Sequence, residues 1–315
     1  MKPIASNSVS TAHRALGFVL AVLAAVQVNA AEAGKTFATP EEGVAALTRA
    51  VMTTNRAELH AIFGPAAEEI VNPDAVQAAN EFAAFAAALG ETNCLVRDSE
   101  TRRVLELGAE QWPFPVPIVQ KDRRWFFDTA AGVEELVNRR IGRNELETLR
   151  VVRTCVQAQR EYASRDRDGD EVREYAQKMI STPGAKDGLF WSPDYDGEIS
   201  PLGPLAADAA AEGYGKKGKS PGDEPQPFHG YFFKMLTRQG KSAPGGKYDY
   251  VINGNMIGGF ALVAWPAEYG ESGIMTFVVN QQGRVYQKDL GPDTAKTAKA
   301  TEAYDPDKSW SVSPD

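Results

Sequence analysis

Apolar positions in this chain recur first every three to four residues, then every two, then every three to four, and then every two again. The first helical stretch opens at Thr39-Pro40-Glu41-Glu42, a hydroxyl cap, a first-turn proline and two carboxylates at the positive end of the helix dipole. Val44, Leu47 and Val51 mark its apolar face. Residues 56–63 predict a second short helix stopped by Gly64-Pro65, and residues 74–89 a third, rich in alanine, with Phe82 and Phe85 on one side. From Cys94 the period is two, and residues 95–97, 104–107, 116–119 and 125–127 predict strands. In Trp112-Pro113-Phe114-Pro115-Val116-Pro117, proline falls at alternate positions and cannot donate to a ladder, so that segment is an edge or a crossing loop.

The helical period returns at residues 132–140, a short helix, followed by Arg139-Arg140-Ile141-Gly142-Arg143 as a solvated basic connector. Asn144 then caps a long helix, with Glu147 three residues on as in a capping box. Leu146, Leu149, Val152, Val156, Gln159 and Ala163 form its buried stripe. The densest β signal covers residues 231–290, where apolar and aromatic runs alternate with turns at Gly245-Gly246, Asn253-Gly254, Gly270 and Gln282-Gly283. Residues 216–227, rich in Gly, Lys and Pro, read as a loop, and the polar tail is helical at best until Trp310, which is expected to dock back. The fold class is α+β in two domains. Residues 31–141 place helices on a curved antiparallel sheet, and residues 142–315 place a long helix on a second antiparallel sheet.

Before these lies a secretory signal peptide at residues 1–30: basic Lys2 and Arg14, an apolar run from Ala15 to Val28, and small residues in Val28-Asn29-Ala30 before the cut. An uncleaved anchor is the alternative, but the run barely reaches bilayer length. Cleavage removes two basic residues and no acidic one, leaving 32 basic against 42 acidic side chains and a net charge of −10. An acidic surface argues against a nucleic-acid binder. No later stretch could span a membrane, so a periplasmic or secreted protein without stable membrane insertion is expected. Cys94 and Cys155 could close a disulfide in that compartment or stay as two thiols, and nothing in the sequence brings them together.

Four carboxylates, Asp166, Asp168, Asp170 and Glu174, stand within nine residues and could converge on a calcium ion. The EF-hand template fails, because Gly169 falls at the fourth position and Gln177 stands where the bidentate Glu belongs. The alternative is a solvated turn whose charges are partly neutralised by Arg165, Arg167 and Arg173. Gly270-Glu271-Ser272-Gly273 resembles the nucleophile loop of chymotrypsin-like proteases, but only His60 and His229 remain to serve as base, and a β-turn is the plainer reading. There is no HExxH, no paired-cysteine ligand spacing, no GxGxxG after a strand and no phosphate loop. Five tryptophans could line a groove but are more often core and rim.

Trp112-Pro-Phe-Pro, Arg140-Ile-Gly-Arg-Asn-Glu145, Ala158-Gln-Arg-Glu-Tyr162, Gly258-Gly-Phe-Ala-Leu-Val-Ala-Trp-Pro-Ala-Glu-Tyr-Gly270 and Tyr286-Gln-Lys-Asp-Leu-Gly291 resemble the exported bacterial family known as domain of unknown function twenty-nine-fifty. That resemblance implies membership and no activity. The helices and sheet ending in Trp125-Phe126-Phe127-Asp128 resemble the cone of the nuclear-transport-factor-2 superfamily. The long helix with Ala158-Gln159 and Tyr162, the Asp/Gly turn and the Gly230-Tyr231-Phe232-Phe233 strand resemble type IV pilin and pseudopilin heads, here with a soluble domain in place of the stalk. The function expected is a non-catalytic envelope module that binds a partner or ligand. The alternative is a hydrolase of an envelope substrate working through Asp166, Asp168 and Glu174, with or without calcium.

Overall fold

The computed structural model describes residues 34–167, 169–193, 197–215 and 226–314. The expected signal peptide at 1–30, Asp168, and most of the 216–227 loop lie outside the described residues.

Three caps start the N-terminal helices. Thr39 Oγ1 accepts from the Glu42 amide at 3.2 Å to open α1 (Pro40–Met52), and the Glu42 carboxylate reaches back to the Ala38 amide at 2.9 Å. Asn55 accepts from the Glu58 amide at 3.1 Å to open α2 (Arg56–Phe63), which stops at Gly64. Asp74 Oδ1 accepts from the amides of Val76 and Gln77 to open α3 (Ala75–Glu91). Each side-chain oxygen satisfies amides that lack a partner within the helix.

The alternating stretch forms β1 (Asn93–Arg97), β2 (Arg102–Leu107), β3 (Trp112–Pro113), β4 (Ile118–Lys121) and β5 (Arg124–Phe127). The sheet is antiparallel in the order β1-β2-β4-β5, with β3 on the end of β2. Pro115 and Pro117 stay outside the strands, as their missing donors require. Leu47, Ile62, Leu89, Leu105, Leu107, Ile118 and Phe127 fill the space between helices and sheet as a first buried core.

The connector expected at residues 139–143 is not a connector. α4 (Thr129–Tyr162) runs through it as one helix of 34 residues, opened by Asp128, whose side chain accepts from the Ala131 amide. Arg140 and Ile141 are buried, and Arg140 donates to the Ile70 carbonyl at 2.9 Å. Asn144 is no cap; it is fully buried in mid-helix, and Glu147 pairs with Arg150 on the outer face. Leu146, expected in the buried stripe, is 70 % exposed, while Leu149, Val152, Cys155 and Val156 enter a second core. Gly142 costs about 1 kcal/mol against Ala in a helix interior. Each apolar side chain that α4 buries contributes about 1.5–3 kcal/mol, so packing wins over the local break signal.

Beyond α4 come β6 (Lys178–Ile180) and β7 (Gly188–Phe190), which pair in parallel, and α5 (Gly203–Glu212), an alanine-rich helix. Then follow β8 (Tyr231–Leu236), β9 (Arg238–Gln239), β10 (Tyr248–Asp249), β11 (Val251–Ile252), β12 (Asn255–Met256), β13 (Ala261–Pro266), β14 (Met275–Asn280), β15 (Tyr286–Asp289), α6 (Thr294–Ala300) and β16 (Ser311–Val312). The main sheet is antiparallel in the order β16-β15-β14-β13-β8. All six residues of β13 are buried, so both faces of that strand are covered, and α4 and α6 both lie against it. Asn253 (φ 54°) and Gly254 (φ 96°) supply the two left-handed residues of the tight β11–β12 hairpin. Trp310 packs on the second core, with the Lys288 ammonium 5.9 Å from its ring.

Candidate functional site

A group of buried and half-buried polar side chains lies where α3, α4, the residues after α5 and the start of β8 meet. Asp74, the cap of α3, accepts the Tyr214 hydroxyl on Oδ2 at 2.7 Å and the Gly230 amide at 3.3 Å. The Tyr214 oxygen in turn accepts from the His229 amide at 3.2 Å. Gln77 Nε2 donates to Asn144 Oδ1 at 3.0 Å and lies 3.1 Å from His229 Nδ1. Asn144 Nδ2 donates to the Ser272 carbonyl at 2.9 Å, and Asn72 Nδ2 donates to Gln77 Oε1 at 3.1 Å.

Because the Gln77 amide nitrogen only donates, His229 Nδ1 accepts, and the ring proton of the neutral imidazole sits on Nε2. That nitrogen faces Glu212 Oε2 at 3.1 Å, within ion-pair range but out of line for a hydrogen bond. Burial pushes the Tyr214 phenol upward and the Asp74 carboxylate adds to the effect, so Tyr214 remains a donor. Backbone shape holds the group together: His229 (φ 48°) and Gly230 (φ 72°) are both left-handed. A Cβ on Gly230 would stand 2.6 Å from Asn144 Nδ2, so only glycine lets β8 begin this close to α4.

Histidine, aspartate, tyrosine and serine in one neighbourhood are the material of acid–base and nucleophilic chemistry, but these are engaged otherwise. Ser272 is fully buried, and its hydroxyl donates to the Glu268 carbonyl at 3.1 Å and accepts the Glu268 amide at 3.0 Å, closing its own turn. Both oxygens of Asp74 accept from the protein. The network therefore works as a joint that ties α3 to α4 and to β8.

The acid turn follows α4. Asp166 accepts from the amides of Gly169 at 2.8 Å and Glu171 at 3.0 Å. Asp170 accepts from the Val172 amide at 2.8 Å and from Asn255 Nδ2 at 2.6 Å, and Glu174 accepts from the Met256 amide at 2.6 Å. These three carboxylates pin the turn to itself and to the β11–β12 hairpin, with Asp168 outside the described residues. Among the described residues no group of three or more His, Cys, Asp or Glu side chains is placed to hold a metal.

Arg165 and Arg167, expected to neutralise the acid turn, turn instead to Glu198. Arg167 has a side chain only 5 % exposed and lies over the rings of Tyr162 and Trp191; Lys186 completes the cluster from beyond Glu198. The Lys186 hydrogen bond, with the charges of Arg167 and Lys186, holds the Glu198 carboxyl below its ordinary range against the opposing effect of burial. No local pattern signals this cluster, because Glu198 stands 31 residues from Arg167. The same holds for His229 and Gln77, 152 residues apart.

A groove of about 510 Å³ opens between α4 and the tail, lined by Arg153, Gln282, Gly283, Arg284, Val312 and Ser313. Among the described residues no helix is long and apolar enough to cross a membrane. Cys94 and Cys155 are free thiols, Cys94 exposed on β1 and Cys155 buried in the second core.

No curated protein and no solved structure matches the chain. A family model does, over residues 34–312, which takes in both cores, all of α4 and the joint between them. The chain belongs to the family described as protein of unknown function, DUF2950.

Proposed function

We propose that this chain is a non-catalytic binding or assembly module exported to the cell envelope. The observation that supports the first half is the state of the seam residues. Of the groups best suited to catalysis, Asp74 and Ser272 are buried and His229 and Tyr214 half-buried, and their hydrogen bonds run to one another, to Gln77 and to backbone. Export is supported by the basic start, the apolar run and Val28-Asn29-Ala30. The proposal includes two domains that share α4, residues 31–141 around the first core and 142–315 around the second.

Two measurements test it. N-terminal sequencing of the protein from the envelope fraction is expected to begin at or near Ala31; a product that retains Met1 and needs detergent would overturn export. The purified mature protein is expected to turn over neither peptidoglycan, peptides nor esters, while pull-down from periplasm retains a partner. Turnover that disappears in Asp168→Ala would replace this reading with the hydrolase alternative.

A further inference from the structure

The outer strand of the first sheet is open. Two backbone bonds frame β1: the Thr92 carbonyl accepts from the Gly108 amide at 2.9 Å, and the Asp98 amide donates to the Arg102 carbonyl at 3.2 Å. Between them the register runs from Asn93 opposite Leu107 to Arg97 opposite Arg103. Hydrogen-bonded pairs alternate along an antiparallel ladder, so Cys94 and Val96 turn their backbone groups toward β2. Asn93, Leu95 and Arg97 turn theirs outward, and among the described residues no strand or bridge meets them. Leu95 packs on the first core, whereas Cys94 and Val96 are exposed on the opposite face.

An unpaired edge of this kind is a template for another strand. Neither proline nor a bulge guards β1. We propose that its partner is a second copy of this chain, paired antiparallel about a two-fold axis at Cys94, with the two Cys94 residues closing an intermolecular disulfide.

The edge is self-complementary in that register. Asn93 of one copy meets Leu95 of the other, and both present outward N–H and C=O groups, so the backbone bonds form twice by symmetry. Cys94 then faces its own copy at a non-hydrogen-bonded position, where Cα atoms stand about 4.5 Å apart. Disulfides span about 4.4–6.8 Å between Cα atoms, so the bond closes without moving the backbone. Slipping the pairing by two residues, the next register in which the outward groups meet, would instead set Cys94 against Val96. Within one chain Cys94 has no thiol to meet, since Cys155 is 2 % exposed in the other core.

With oxidised glutathione as oxidant the step balances. A Cys94 thiolate attacks it and releases one glutathione thiol, and Cys94 of the second copy attacks the mixed disulfide and releases the other. Two protein thiols are oxidised and one glutathione disulfide is reduced. The strand pairing is independent of the envelope reading; formation of the disulfide in the cell rests on it.

The test uses the purified mature chain in a glutathione redox buffer, followed by light scattering and by mass spectrometry of non-reduced peptides. The expected result is a dimer containing a Cys94–Cys94 peptide. Asn93→Pro removes an outward N–H at the first position of the strand, where proline is tolerated. That variant loses the Asn93 side-chain bond to the Leu89 carbonyl at 3.1 Å but no bond to β2, so it is expected to stay folded, as its melting curve checks, yet to yield mainly glutathione-capped monomer. A wild-type chain that only becomes glutathione-capped would overturn the proposal. So would dimers that form equally well in Asn93→Pro, or a dimer lacking the Cys94–Cys94 peptide. Since neither envelope extract nor partner enters the assay, its failure leaves the export and binding readings untouched.

Discussion

Gln77 on α3 donates to Asn144 in the middle of α4 at 3.0 Å, across 67 residues of chain, and Asn144 passes the connection on to the Ser272 carbonyl at 2.9 Å. One buried amide thus holds the first helical layer, the long helix and the turn before β14. Asn144→Ala leaves a buried donor on Gln77 and a buried acceptor at Ser272, each unpaired at a cost of about 1–3 kcal/mol. Urea unfolding is expected to show a lower midpoint with an unchanged slope. An unchanged midpoint would mean that the joint contributes nothing to stability.

Continuity of α4 through residues 139–143 makes a prediction about proteolysis. Trypsin cleaves after arginine in open chain, and Arg139, Arg140 and Arg143 would be early sites in a solvated connector. In the helix, with Arg140 buried against Ile70, they are expected to survive until global unfolding. Early fragments ending at any of the three would restore the connector.

Asp187 gives a pH dependence with a definite sign. Burial raises its carboxyl, but hydrogen bonds from Lys178 and from the amide and hydroxyl of Thr182 outweigh this and bring it from 3.8 to about 2. A folded-state value below the unfolded one means that stability is present above the unfolded pKa and is lost as pH falls through the folded one. The stability difference between wild type and Asp187→Asn is therefore expected to be full at pH 7, to shrink from about pH 4 downward, and to vanish below about pH 2. Urea midpoints along that series check it; a difference that grows on acidification would reverse the sign.

The two thiols differ in reactivity. Burial pushes the Cys155 thiol up to about 12, whereas Cys94 is exposed on β1. Iodoacetamide applied to the reduced native protein is expected to label Cys94 alone, and Cys155 only in denaturant. Equal native labelling of both would mean that the second core opens around α4.

Calcium at the acid turn would have to compete with the amides of Gly169, Glu171, Val172 and Met256 for the oxygens of Asp166, Asp170 and Glu174. With the charge of those oxygens already met by amides, the melting temperature is expected to be the same in millimolar calcium chloride as in sodium chloride of equal ionic strength. A rise of the size mass action gives, about 2.7 kcal/mol at a hundredfold excess over the dissociation constant, and its loss in Asp168→Asn, would establish the metal site.

Features that depend on neighbours in sequence were legible from the chain alone. Thr39 with Pro40 marks a helix start wherever the helix later packs, and Asn253-Gly254 favours a tight hairpin through its own φ angles. The prolines of Trp112-Pro113-Phe114-Pro115-Val116-Pro117 are kept out of the centre of a sheet because they lack donors. The strands of residues 231–290 announced themselves by period and aromatic content, and the α+β class followed from them.

Where a local signal opposed a distant contact, the tertiary structure decided. Asn144-Glu145-Leu146-Glu147 has the spacing of a capping box, and on an isolated peptide a start there would be the reasonable outcome. In the folded chain Asn144 is surrounded by Gln77, Gly230 and Ser272, and Arg140 by the Ile70 carbonyl, so the helix gains more by running on than by beginning anew. The arginines beside the acid turn followed the same logic, since Glu198, Tyr162 and Trp191 offer Arg167 a buried site that its sequence neighbours cannot. Caps, turns and periods involve energies of about 1 kcal/mol set within a few residues. Which polar groups meet across the seam depends on where two cores bring α3, α4 and β8 together, and that geometry exists only once both have formed.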